Sequence, residues 1–145
     1  MVLAWILVAN QSQARIFEAQ KRAGQLHEIV DLLHPESRLP GREQESDAPG
    51  RSFDSHGQGR HAMGNFAEIH RRSGEKFAKE IAKTLERGRQ EGRYEKLYIV
   101  AEPYMVGSLR DALRIPTRAT VAGETGKNLV DFQPEEIRSQ LPTWL

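Results

Sequence analysis

A chain of 145 residues has the size of one ordinary domain and can bury roughly 68–70% of its unfolded surface. Twenty-one Lys and Arg against 20 Asp and Glu leave a formal charge of +1, so nucleic acid or anionic lipid would have to be met by a local patch. With 38% hydrophobic and 28% charged residues, the composition excludes a collagen, a coiled coil and a wholly disordered chain.

Residues 4–9 are apolar on both faces, as in a central strand covered on both sides. The apolar run from Val2 to Ala9 is eight residues long, follows no basic segment and falls short of the ~18 residues that a membrane helix needs. It predicts a cytoplasmic protein with no membrane insertion. Asn10, Gln11, Ser12 and Gln13 supply turn chemistry before a second strand over 14–18, and the alternation of 26–33 predicts a third, half-exposed strand. Between residues 34 and 65, three prolines and five glycines interrupt a stretch with almost no apolar period, which predicts a long loop. Its four arginines and five acids nearly cancel, so it is not a basic arm.

Phe66, Ile69, Phe77, Ala78, Ile81, Ala82 and Leu85 recur at helical steps and predict a long amphipathic helix over about 66–90. A buried strand over 97–101, a short helix marked by Met105, Val106, Leu109, Ala112 and Leu113, a fifth strand over 119–122 and a final helix over 134–141 follow. The order β-β-β-α-β-α-β-α predicts an α/β fold: a ribonuclease-H-like mixed five-stranded sheet with helices on its faces, in one domain over 1–145.

A two-metal nuclease of that arrangement needs carboxylates from the first strand, the first helix and the fourth strand. Here the first strand ends in Asn10, a neutral amide, while Glu68 opens the helix and Glu102 ends the fourth strand. Residues 123–128 look like a phosphate-binding loop, but Val121 and Asn128 break both ends of that pattern, and a turn after the fifth strand explains them better. Asp54, His56 and His61 match no standard metal-ligand spacing. No nucleophile elbow is present, and the absence of cysteine removes thiolate metal sites and thiol catalysis. No metal or small-molecule cofactor is therefore expected. Arg51, Arg60, His61, Arg71 and Arg72 compose a candidate cationic patch at the loop and the helix behind it.

Several stretches together resemble one bacterial family, the "protein required for attachment to host cells". They are Trp5-Ile6-Leu7-Val8-Ala9-Asn10, Ala14-Arg15-Ile16-Phe17-Glu18, Ser46-Asp47-Ala48-Pro49-Gly50-Arg51-Ser52-Phe53, Val100-Ala101-Glu102-Pro103 and Gly107-Ser108-Leu109-Arg110-Asp111-Ala112-Leu113. That family is in turn similar to the middle domain of archaeal and eukaryotic class-one translation release factors, where a Gly-Gly-Gln loop precedes a long helix. His56, Gly57, Gly59, Phe66 and Ala67 match that stretch, but its second glycine and its glutamine fall on Arg60 and His61. The catalytic motif is thus not intact. The resemblance implies a cytosolic binding or regulatory module, needed indirectly for attachment, with a protein partner. The alternative it implies is a ribosome- or tRNA-directed hydrolase acting through residues 54–61. Gln58 and His61 are then the catalytic candidates; Asp54, His56, Gly57, Gly59, Arg60, Arg71 and Arg72 are the binding candidates, with Asn10 and Glu102 as polar groups at the sheet end.

Overall fold

The computed structural model describes residues 4–21, 24–34 and 58–141, with the main chain alone over 58–68 and at position 70. In chain order the elements are β1 (Ala4–Ala9), β2 (Gln13–Ala19), β3 (Leu26–Leu33), α1 (Gln58–Gln90), β4 (Lys96–Ala101), α2 (Pro103–Ala112), α3 (Ile115–Arg118), β5 (Val121–Thr125) and α4 (Pro134–Ser139). The sheet order is β3-β2-β1-β4-β5. β2 is antiparallel to β1 and β3, whereas β1, β4 and β5 run parallel, so the sheet is mixed and five-stranded, as the sequence predicts.

All six residues of β1 are buried, because the sheet is covered on both faces at its centre. Trp5, Leu7 and Ala9 meet Phe77, Ile81 and Leu85 of α1 and Met105 and Leu109 of α2. Ala4, Ile6 and Val8 meet Leu129, Val130, Ile137 and Leu141 from the C-terminal stretch. The β1–β2 turn is held by Asn10, whose Oδ1 accepts the main-chain N–H groups of Ser12 at 2.8 Å and Gln13 at 2.9 Å. A register shift between Ile16 and Phe17 interrupts the alternation of β3, so Ile29 and Val30 both pack against the α1 side.

Three boundaries differ from the sequence expectation. The long helix begins at Gln58 rather than 66, so residues 58–65 are helical and not part of the loop. Gly59 and Gly64 each cost such a helix about 1 kcal/mol, which isolated positions tolerate, and no proline lies between Pro49 and Pro103. A short helix, α3, intervenes before β5, with Pro116 in its first turn. β5 begins at Val121 and extends to Thr125, so Gly123, Glu124 and Thr125 are strand rather than turn. The part of the loop expectation covering 35–57 lies outside the described residues.

Two contacts seat α1. Near its C-terminal end, Gly88 lies against the indole of Trp5, so closely that a Cβ there would stand 2.4 Å from Cη2 and 2.5 Å from Cζ3. Toward the other end, His34, just beyond β3, stacks on Phe77 with ring centroids 4.6 Å apart and hydrogen-bonds through Nε2 to Ser73 Oγ at 2.7 Å. A separate latch joins α1 to α3. Glu86 accepts hydrogen bonds from Arg89 at 2.7 Å and from the buried Thr117 hydroxyl, which itself accepts from Arg89 Nε at 3.0 Å. The Arg89 hydrogen bond holds the Glu86 carboxyl below its ordinary value of 4.5.

Gly88→Ala therefore overpacks the indole and is expected to destabilise by about 1–3 kcal/mol in urea unfolding. Gly107→Ala, in the interior of α2 where a Cβ meets nothing within 4 Å, is expected to stabilise by about 0.5–1 kcal/mol. A depressed folded value means that the unfolded chain binds the proton more readily, so the Glu86 contribution is present above pH 4.5 and lost as pH falls through the lower folded value. Glu86→Gln should therefore flatten the acid limb of a stability-against-pH curve; an unchanged limb would remove the latch from the account.

Candidate functional site

α2 starts at Pro103, directly after β4, and its apolar residues Met105, Val106 and Leu109 are buried in the core. The positions left over, Tyr104, Ser108 and Asp111, recur at i, i+4 and i+7 and so form a second stripe along the helix. On α1 the core stripe of Phe77, Ile81 and Leu85 leaves Arg71, Glu75 and Lys79 on another stripe at four-residue steps. The two stripes face each other across a groove of about 470 Å³. Pro103 and Gly107 belong to the same lining.

Glycine lets the groove end close to the sheet. The ring of Tyr104 and the amide of Gln11 lie 3.6 and 3.7 Å from where a Cβ on Gly74 would stand, so the two side chains rest on bare α1 backbone. Tyr104 keeps 43% of its surface exposed. Arg71 faces Glu75 at 4.0 Å, with side chains 53% and 46% exposed, a pairing too wet to be worth much. The groove thus combines an exposed aromatic ring with guanidinium, ammonium, carboxylate and hydroxyl groups, all on helices packed to the core.

Side-chain bonds outside the groove fix the position of α2. Arg110 donates to Glu124 on β5 at 2.5 Å, and that hydrogen bond raises the arginine further above its ordinary value. Gly126 lies against Pro103, where a Cβ would come within 3.5 Å of the proline ring. Toward the C-terminal end of α1, Tyr94 donates its hydroxyl to the carbonyl of Leu85 at 2.7 Å, and burial pushes its ionisation up to about 12.

The residues singled out in the sequence are distributed as follows. Asp54, His56 and Gly57 lie outside the described residues. Gln58, Gly59, Arg60 and His61 form the opening turn of α1, described by main chain alone, about 16 Å of helix rise from the start of the groove at Arg71. Arg71 lines the groove, and Arg72 is exposed beside it. Asn10 and Glu102 follow the paired residues Ala9 and Ala101 and so sit together at the end of the sheet. The Asn10 amide oxygen is committed to its own turn, and its Nδ2 donates to Asn128 at 3.4 Å. Glu102 is the N-cap position of α2, but its side chain makes no cap hydrogen bond. Among the described residues no three His, Asp or Glu side chains gather as a metal site.

Sequence reasoning missed Tyr104, Ser108, Asp111, Glu75 and Lys79 as site residues. The available signal was Tyr104 itself, a large aromatic in the polar phase of α2. Among the described residues no helix is long and apolar enough to cross a membrane. Comparison with curated proteins gives no match. Comparison with family models, by contrast, matches residues 5–141, from the first residues of β1 through α4, and on that match the chain belongs to the family described as protein required for attachment to host cells.

Proposed function

We propose that the chain is an intracellular binding module that engages its ligand in the α1–α2 groove, and that attachment to host cells depends on that binding indirectly. The observation that carries the proposal is the division of each helix into two stripes. The apolar stripes are spent on the core, and the polar stripes with Tyr104 converge on one concave surface. Concave, partly aromatic surfaces on rigid elements suit recognition, because the groups are held in place before a ligand arrives.

The alternative, a ribosome- or tRNA-directed hydrolase, rests on residues 54–61, of which only 58–61 belong to the described chain, as the first turn of α1. The groove's two walls, by contrast, carry side chains that can both donate and accept hydrogen bonds. Binding is therefore the reading favoured by geometry.

In source cells that lack the gene, complementation with Asp111→Lys or Tyr104→Ala is expected to restore attachment on the order of tenfold less well than the wild type, the equivalent of about 1.4 kcal/mol of lost binding. Glu135→Gln on α4, away from the groove, should complement fully. Equal complementation by all three, at equal protein levels, would end the groove's claim to the function. Recovery of the protein solely from the envelope fraction would end its intracellular placement.

A further inference from the structure

The charges lining the groove cancel. Arg71 and Lys79 stand with Glu75 and Asp111, so neither an anion nor a cation gains net attraction there. A phosphate-bearing ligand calls for a surplus of donors and positive charge, which this lining does not hold. What it offers is donors and acceptors in alternation: guanidinium, ammonium, two carboxylates, the Ser108 hydroxyl and the Tyr104 hydroxyl. Beside them stands a half-exposed aromatic ring.

A peptide fits this lining poorly. An extended peptide draws affinity from the free main-chain groups of a sheet edge, and a helical peptide from an apolar trough. Both walls here are helices whose main-chain groups beyond the first turn of α2 are used internally, and Tyr104 is the single large apolar surface in the lining. A ligand that is uncharged, rich in hydroxyls that both donate and accept, and apolar on its C–H faces matches all three properties at once. Gly107 adds close approach, since the space a Cβ would take is empty and the α2 backbone is bare there.

We propose that the groove binds a neutral saccharide, with Tyr104 stacking on a sugar ring and Glu75, Asp111 and Arg71 bridging vicinal hydroxyls. This inference rests on the groove being the ligand site. The mutual pairing of Arg71 and Glu75 does not oppose it, because exchanging a wet 4.0 Å contact for two sugar hydroxyls costs little. Carboxylates also serve a neutral polyol better than an anionic one, since they repel any acidic sugar.

The test is an amide-resolved NMR titration of the intact protein with three uncharged probes, maltotriose, cellobiose and diacetylchitobiose, and one acidic probe, galacturonate trimer. Saturable shifts are expected at Tyr104, Gly107, Ser108, Asp111, Glu75 and Lys79 with at least one neutral probe. Tyr104→Ala, and Gly107→Leu, whose Cβ meets nothing within 4 Å and whose side chain takes up groove space, should weaken that binding at least on the order of tenfold. Both variants are checked for a wild-type amide pattern elsewhere. Absence of saturable shifts with every neutral probe, retention of binding in both variants, or tighter binding of the acidic trimer would each overturn the proposal. If attachment is lost in Tyr104→Ala while no saccharide binds, the saccharide falls and the groove stands; if a saccharide binds and attachment is unchanged, the functional reading falls alone.

Discussion

The contact between the Trp5 indole and Gly88 sets how near the long helix can lie to the sheet. The indole is fixed from other directions as well. Tyr94 packs on it with ring centroids 4.8 Å apart, and the Arg93 guanidinium lies 5.5 Å from its centroid while reaching Glu18 at 3.7 Å. With that end pinned, and with Phe77 clasped under His34 toward the other, α1 has one rotation about its axis that buries Phe77, Ile81 and Leu85. That rotation also decides which residues are left outside. Arg71, Glu75 and Lys79 become the wall of the groove because of what Trp5 and His34 hold.

How much of this was legible in the sequence follows from which residues are buried. β1 was legible because burial on both faces writes a continuous apolar run, and β3 because its edge position leaves an alternation that a single register shift only bends. The C-terminal part of α1 was legible for the same reason: its apolar residues repeat where they meet the sheet. The opening residues 58–65 carry no such period, and a sequence without an apolar period is hard to tell from a loop, especially with Gly59 and Gly64 in it. β5 was misplaced because it is a five-residue edge strand whose middle residue, Gly123, has no side chain and lies under the ring of Tyr98. α3 is four residues long and was hidden between two charged positions.

The candidate site was less legible than the fold, and the reason is geometric. Asn10 and Glu102 do come together at the sheet end, as parallel β1 and β4 require, but the Asn10 oxygen serves a turn that any short hairpin here needs. Arg71 was visible as a cation without its surroundings. Tyr104, Ser108 and Asp111 read as an ordinary solvated stripe of a short helix, and in one dimension they are that. They become a site only because α2 packs alongside α1, a relation between residues some 30 positions apart that no local pattern encodes.

The width of the groove is in turn fixed by contacts that lie mostly outside it. At its start α2 is held by Pro103 against Gly126, along its length by Arg110 to Glu124, and just past its end by the Thr117 hydroxyl on Glu86 of α1. The Arg118 side chain also returns to the carbonyl of Leu113, closing the turn between α2 and α3. Apart from Pro103, none of these contacts uses a groove residue. A ligand entering between Tyr104 and Glu75 therefore meets walls already at their working distance and does not have to order them, which is the condition under which a few modest hydrogen bonds and one aromatic contact add up to specific binding. The same arrangement separates stability from recognition: α1 meets α3 through Glu86, Arg89 and Thr117, whereas Tyr104, Ser108 and Asp111 bear little of the fold and are free to be chosen for what they touch.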